Sequence, residues 1–233
     1  MIDPQLKDKI VLVTGANHGI GAATAKAFAA QGAQIFATCH RDSPRYAEEA
    51  LAQAKETGVG GDVLYRAMQQ QPIALLVEAI RSQGGVAAAC EMDLGVVENI
   101  PQLFDACEAE LGPVDVLVNN HTYCVMETFD PGLVQAGESS VQLITAAGID
   151  GHMAVNARSY ALMMAEYVVR HLRRGMGWGR IINVSTDAAH AHVANVSYAA
   201  SKHAIESYSR SAAAEVGKYG ITVNVVAPGP TQT

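Results

Sequence analysis

The residues best placed to do chemistry lie in one run, NVSYAASKHAIESY, from Asn195 to Tyr208. Lys202 follows Tyr198 by four positions, and residues so spaced are neighbours on a helix surface. An ammonium beside a phenol stabilises the phenolate and lowers a pKa that otherwise sits near about 10. Such a tyrosine can trade protons near neutral pH. A reaction that builds negative charge on an oxygen needs a proton donor of this kind within hydrogen-bond reach, and a neutral hydroxyl beside it would polarise the same oxygen. Taken alone, the pair reads equally well as a half-buried aromatic with a snorkelling amine.

A second stretch with chemical meaning is TGANHGIG, Thr14 to Gly21, with glycines at 15, 19 and 21. A dinucleotide pyrophosphate requires a tight turn, a close backbone approach and a free helix N-terminus, which Gly15, Gly19 and Gly21 can supply in that order. The spacing is G-x-x-x-G-x-G rather than the commoner G-x-G-x-x-G. Any tight strand-to-helix turn uses glycine. The position of this one, after the first strand and opening the first helix, favours cofactor binding over a plain turn.

These pieces must be held by a regular scaffold. Short β-branched runs alternate with longer alanine-rich stretches of helical period. The strands are expected at Lys9 to Gly15, Ala33 to Cys39, Val86 to Asp93, Val114 to Asn120, Arg180 to Ser185 and Ile221 to Gly229. Near-continuous Val/Ile runs without polar alternation suit parallel strands covered on both faces. Strand and helix in turn imply right-handed crossovers and a doubly wound α/β sheet. Two stretches are longer than this rhythm needs, near 42–85 and 130–148. Both read as insertions on a common core, the first broken by TGVGGD and QQQP.

Bulk properties narrow the classes. The 233 residues and 24.5 kDa suit one domain, and 49% hydrophobic with 17% charged residues is a globular composition. A net charge of −7 and scattered basic residues argue against a nucleic-acid surface. The densest basic cluster, Arg170 to Arg180, reads as a helix end. Cys39, Cys90, Cys107 and Cys124 show neither C-x-x-C nor metal-ligand spacing, which favours reduced thiols and a cytoplasmic location. No segment approaches the apolar run of about 18 residues that a membrane span needs.

The chain resembles the short-chain dehydrogenase/reductase family, in particular its 3-oxoacyl-thioester reductase-like branch. The resemblance rests on TGANHGIG, MDL at Met92, the pair Asn119-Asn120, Asn156 in AVNARS, GRIINVS, YAASK and APGPTQT, in the family's order over nearly the whole chain. It implies a Rossmann-type three-layer fold with strand order 3-2-1-4-5-6. It implies Tyr198 as acid/base, with Lys202 lowering the pKa of Tyr198 and binding the nicotinamide ribose. Asn156 would hold a water in a proton relay from Lys202 to solvent. Cofactor contacts are implied at Gly15, Asn17, His18, Gly19, Ile20, Gly21, His40, Arg41, Asp93, Leu94, Asn119, Asn120, Tyr198, Lys202, Pro228, Gly229 and Thr233. A small-molecule carbonyl/alcohol substrate and a homotetramer or homodimer are implied likewise. An NAD-linked sugar or steroid alcohol dehydrogenase, or a non-catalytic dinucleotide sensor on the same fold, are the alternatives.

Several positions depart from the family's pattern. Counting back thirteen residues from Tyr198 gives Ser185 as the catalytic hydroxyl, whereas counting forward from the strand GRIIN gives Thr186; both remain candidates, with Thr186 slightly favoured. His121 and Thr122 stand where the family usually has Ala-Gly. They would reshape the substrate side or fill space left by the insertions. His190 and His192 read as solvated loop residues. At the end of the second strand, Cys39 occupies the place where NAD enzymes put an acid, followed by His40 and Arg41. With His18 in the glycine turn, this favours NADP(H) over NAD(H), the other reading being Asp42 as a displaced ribose ligand. Asp93 would contact adenine or cap the next segment. Relatives continue past the position of Thr233 through a substrate-binding helix and a seventh strand, so these 233 residues are expected to belong to a longer chain.

Overall fold

The computed structural model describes residues 4–43, 46–134 and 141–231. Six strands form one parallel sheet: β1 (Ile10–Thr14), β2 (Gln34–Cys39), β3 (Val86–Glu91), β4 (Val116–Asn119), β5 (Gly179–Val184) and β6 (Ile221–Val226). Their order is β3-β2-β1-β4-β5-β6, as the resemblance implied. Helices α1 (Gly19–Ala30), α2 (Glu48–Thr57), α3 (Asp62–Gln69), α4 (Ala74–Arg81), α5 (Asn99–Glu110), α6 (Ala146–His152), α7 (Ser159–Arg173) and α8 (Val196–Val216) complete the described elements of length.

The absence of polar alternation in the strands has a direct structural cause. Alternate side chains of β1 feed two separate cores. Leu12 packs with Phe36, Leu103, Phe104, Leu117 and Ile181 beneath α5 and α7. Val11 and Val13 pack with Ile35, Ala37, Leu76, Ile80 and Val116 beneath α1 and α4. Each fully buried aliphatic side chain contributes about 1.5–3 kcal/mol, so both faces must be apolar. At β6 the alternation returns. Ile221 and Val223 are buried while Thr222 and Asn224 are exposed, and among the described residues β6 pairs only with β5. The strand also ends at Val226, short of the expected Gly229.

The first long insertion forms two extra helices ahead of α4. Gly58, left-handed at φ 64°, closes α2, and Gly61, at φ 133°, precedes α3. In the second, the two-residue strand Glu127–Thr128 pairs with Gln142–Leu143 before α6 begins; residues 135–140 lie outside the description. Helices α6 and α7 are joined without a break by a π-helical segment, Met153–Arg158. A π turn of this kind is uncommon and occurs frequently at functional sites. No helix among the described residues is long and apolar enough to cross a membrane.

Candidate active site

A groove of about 530 Å³ opens at the carboxyl ends of β1, β2 and β4, where open α/β sheets bind ligands. Its lining runs from the glycine turn (Gly15, Asn17, His18, Gly19, Ile20), past the ends of β2 and β3 (Cys39, His40, Asp42, Asp93, Leu94), to Asn120, His121, Thr122 and Tyr123 after β4. The glycine turn is shaped for close approach. Gly15 and Gly19 have positive φ of 59° and 54°. A Cβ on Gly21 would overlap the Gly15 carbonyl and lie 2.5 Å from Asn120 Nδ2. Helix α1 opens on His18 with no side-chain cap and no acidic residue in its first turn. Its first amides therefore face the groove unopposed, which suits a pyrophosphate.

Asn120 is the brace of this turn. Its Nδ2 donates to the Thr14 carbonyl at 3.1 Å and the Gly15 carbonyl at 2.8 Å. Asn119 serves elsewhere: it is fully buried and donates to Asn183 Oδ1 at 2.9 Å between β4 and β5. Contrary to the expectation of a cofactor contact, it is a core residue. His121 is also turned inward, its Nδ1 2.7 Å from Thr14 Oγ1 and its Nε2 2.6 Å from Ser159 Oγ. Burial, reinforced by Lys202, lowers its pKa to about 3, so it is a neutral strut between β1 and α7.

The first insertion roofs the groove, which the sequence did not reveal. Asn17 spends both amide hydrogens on it, donating to the Gln69 carbonyl at 2.8 Å and the Gln71 carbonyl at 3.1 Å. Its side chain therefore holds α3 rather than a nucleotide. Tyr65 of α3 lines the groove and meets the His18 ring edge-on at 5.6 Å. Arg66 donates to the Cys124 carbonyl at 3.4 Å. The only sequence signal for this roof was the excess length of the segment.

At the end of β2 the structure divides the three candidate residues. His40 and Asp42 line the groove and stand 3.2 Å apart. Arg41 is instead paired in bidentate fashion with Glu91, at 2.8 and 2.9 Å, outside the groove lining. Asp93 does both things expected of it in part: it lines the groove, and its Oδ1 accepts from Gly95 N at 2.8 Å. Pro228 and Gly229 lie beside Asp187, with Asp187 N donating to the Pro228 carbonyl at 3.1 Å, and neither lines the groove. Thr233 is outside the described residues.

Tyr198 and Lys202 occupy the first two turns of α8, and neither is among the residues that line the groove. Lys202 is 2% exposed and donates to the Val184 carbonyl at 2.8 Å, its Nζ 5.7 Å from the Tyr198 ring centre. Burial lowers its pKa to about 7. The Tyr198 phenol is pushed up to about 12, chiefly by burial and then by Cys124 and Tyr65, with the Thr122 side chain working in the opposite direction. The expected lowering by Lys202 is therefore not expressed in this geometry: the amine is turned to a backbone carbonyl, and burial dominates both groups.

Asn156 sits in the π segment with its side chain saturated. Its Oδ1 accepts from Tyr123 N at 2.7 Å and Thr122 Oγ1 at 3.2 Å, and its Nδ2 donates to the Tyr123 carbonyl and Ser201 Oγ, each at 2.9 Å. All four hydrogen-bonding positions of the amide are used by protein. The side chain thus clamps the loop after β4 to α8, and the water expected of it has no place on the amide. The two hydroxyl candidates diverge as well. Ser185 is buried and donates to Glu206 Oε1 at 2.9 Å, while Thr186 donates to Asp187 Oδ1 at 3.3 Å. Neither lines the groove. His190 is an exposed loop residue and His192 a half-buried one, with His190 meeting His203 edge-on at 5.2 Å. Among the described residues no cluster of three or more His, Cys, Asp or Glu could hold a metal ion.

Comparison with known proteins settles what this arrangement belongs to. The family model for short chain dehydrogenase matches residues 9–69 and 59–233. The chain belongs to the short-chain dehydrogenase family. As a member it is an oxidoreductase with a nicotinamide-nucleotide fold. It is 31% identical over 223 residues to the short-chain reductase protein NovJ of Streptomyces niveus, covering 96% of this chain and 69% of that one. It is 28% identical over 231 residues to the chloroplastic NADPH-dependent aldehyde reductase 1 of Arabidopsis thaliana, covering 98% and 67%. Among solved structures, a short chain dehydrogenase from Mycobacterium avium superposes with a TM-score of 0.75 at 26% identity, over 98% of this chain and 71% of that one. A 3-oxoacyl (acyl-carrier-protein) reductase from Agrobacterium tumefaciens with NADP bound shares the fold, with a TM-score of 0.72 at 23% identity over 96% and 70%.

Proposed function

We propose that this short-chain dehydrogenase family member is an NADP(H)-dependent reductase of a small-molecule carbonyl, such as a 3-oxoacyl thioester or another ketone, with Tyr198 as acid/base. The observation that carries the reading is the groove at the carboxyl ends of the strands, floored by an uncapped helix N-terminus behind a glycine turn, with the Tyr198–Lys202 pair on α8 supporting the acid/base assignment. The fit to a dinucleotide rests on that turn, where a single added methyl would fill the cradle. The nicotinamide cofactor supplies the hydride. Gly15, Gly19 and Gly21 would let its pyrophosphate approach the backbone, and the α1 amides would offset its charge. Tyr198 gives its proton to the carbonyl oxygen, and either Ser185 or Thr186 polarises that oxygen. Lys202 would bind the ribose and restore the proton by turning its ammonium from the Val184 carbonyl toward the cofactor.

The phosphate-bearing cofactor is supported by Cys39 standing where a ribose-binding acid would be, and by the cofactors in the printed names of the Arabidopsis relative and the Agrobacterium neighbour. NAD(H) is the second reading, favoured by Asp42 in the groove lining and by the pairing of Arg41 with Glu91. We place the protein in the cytoplasm as a single-domain homotetramer or homodimer. The test is consumption of NADPH and NADH with a panel of ketones, β-keto thioesters and quinones, by the wild type and by Tyr198→Phe. The Phe variant should lose turnover while its cofactor affinity stays within several-fold. More than a few per cent residual rate would overturn the acid/base assignment.

A further inference from the structure

Residues 62–71 cross the groove as a strap fastened to three of the segments that form it. Asn17, 8% exposed in the glycine turn, donates to the Gln69 and Gln71 carbonyls at 2.8 and 3.1 Å. Gln70 Nε2 donates to the Asp42 carbonyl after β2 at 2.9 Å, and Arg66 Nη2 to the Cys124 carbonyl after β4 at 3.4 Å. A ligand reaching from the glycine turn to Tyr123 therefore lies beneath α3, which contributes Tyr65 and Gln69 to the lining. We propose that α3 is the outer wall of the dinucleotide site, with Tyr65 against the bound nucleotide, and that it lifts to let the nucleotide in and out. The inference rests on the groove holding a nicotinamide dinucleotide.

The packing of the strap is what lets it move. No residue from 46 to 71 belongs to either apolar core of the sheet, and core packing resumes only at Ile73. Within α3 the buried side chains are Leu64 and Ala67. A helix of 8 residues is too short to persist unsupported, so its place over the groove depends on the side-chain bonds at its edges. Segments held in this way open at low cost. The chain enters α3 through Gly58 and Gly61, both at positive φ, and a Cβ on Gly61 would meet nothing within 4 Å. Such a junction can absorb the rotation of a short helix.

The site also needs a wall that opens. A groove of about 530 Å³ falls among pockets that enclose most of a ligand's surface, and a ligand so enclosed leaves only when one side gives way. Tyr65 is the aromatic surface of the strap. Its ring meets His18 edge-on at 5.6 Å and carries the Arg66 guanidinium 5.5 Å from its centre. Flat nucleotide rings gain most from an aromatic partner of this kind.

Stopped-flow fluorescence with NADPH, and separately with NADH, measures entry and release in the wild type, Asn17→Ala and Gln70→Ala. Opening precedes both steps, so a cheaper opening speeds both and cancels in the affinity. Asn17→Ala loses two hydrogen bonds and should raise the association and dissociation rates together by about fivefold or more, leaving Kd within about threefold. Gln70→Ala, a change outside the groove lining, should raise both by about twofold or more. Tyr65→Ala should weaken NADPH binding by about fivefold or more. In the wild type, amide exchange across residues 62–71 should slow on saturation with NADPH. Association rates unchanged in both strap variants overturn the inference, and so does exchange in 62–71 that NADPH leaves alone or accelerates. Undiminished affinity in Tyr65→Ala removes Tyr65 from the site. Wild-type protein that binds neither nucleotide in calorimetry overturns the dinucleotide reading itself, before any variant is compared.

Discussion

Lys202→Met is a substitution expected to abolish chemistry and to stabilise the protein, with a pH dependence that identifies the cause. Lys202 is 2% exposed, and burial takes its pKa from 10.5 to about 7. A base whose folded pKa is depressed carries a penalty that is full below the folded value and vanishes above the unfolded one. Between those limits the unfolded chain holds the extra proton, so wild-type stability rises with pH from about 7 to about 10.5. At 1.36 kcal/mol per unit, the full penalty is about 5 kcal/mol. Methionine fills a similar volume without a charge but forfeits the bond to the Val184 carbonyl, a loss of about 3 kcal/mol at most. The variant should therefore be more stable than wild type by about 2 kcal/mol at pH 6. Its advantage should shrink by about 2.5 kcal/mol between pH 6 and pH 9, ending near or below zero. Urea unfolding followed by far-UV circular dichroism at a series of pH values measures both quantities. A variant less stable than wild type at pH 6, or a difference that stays constant across the range, would refute the reasoning.

Three further outcomes follow from the same geometry. Gly21→Ala drives a methyl into the Gly15 carbonyl; overpacking of this kind costs about 1–3 kcal/mol, and calorimetry should show nucleotide affinity falling at least tenfold, whereas intact binding would deny the turn its role. Asn17→Ala removes the two bonds to Gln69 and Gln71, so amide hydrogen exchange in residues 62–71 should accelerate by about fivefold or more, while exchange in β1 and β4 stays unchanged; equal exchange would show α3 to be held by Tyr65 and Arg66 instead. Ser185→Ala should lower stability by about 1 kcal/mol through its lost bond to Glu206, and Thr186→Val by less than about 0.5 kcal/mol, since that hydroxyl contacts only its own loop; the reverse order in urea midpoints would contradict these partners.

What the sequence determined by itself was whatever depends on local pattern. Apolar runs such as IVLVT have only one stable use, a strand covered on both faces, and their alternation with helical segments leaves the doubly wound sheet as the economical packing. Gly15, Gly19 and Gly21 were legible because positive φ and close backbone approach are properties of the residue itself. The spacing of Tyr198 and Lys202 was legible because a helix converts a difference of four into adjacency.

Tertiary structure decided everything that depends on what arrives from elsewhere in the chain. The pKa values of Tyr198 and Lys202 are set by burial, with Cys124 from the loop after β4 and Tyr65 from α3 acting on Tyr198, which no local spacing encodes. Asn119 and Asn120 are adjacent in sequence, yet the pleat of β4 sends one into the core and leaves the other to brace the glycine turn. Arg41 was read as a phosphate ligand from its place after β2, but Glu91 on the neighbouring strand claims it first. The excess length of residues 42–85 was visible, and its use was not: α3 roofs the groove only because Asn17, Gln69 and Gln71 meet across more than fifty residues of chain. Thr122 looked like a mismatch to a motif. Only the fold sets its hydroxyl against Asn156 of the π segment, 34 residues further along the chain.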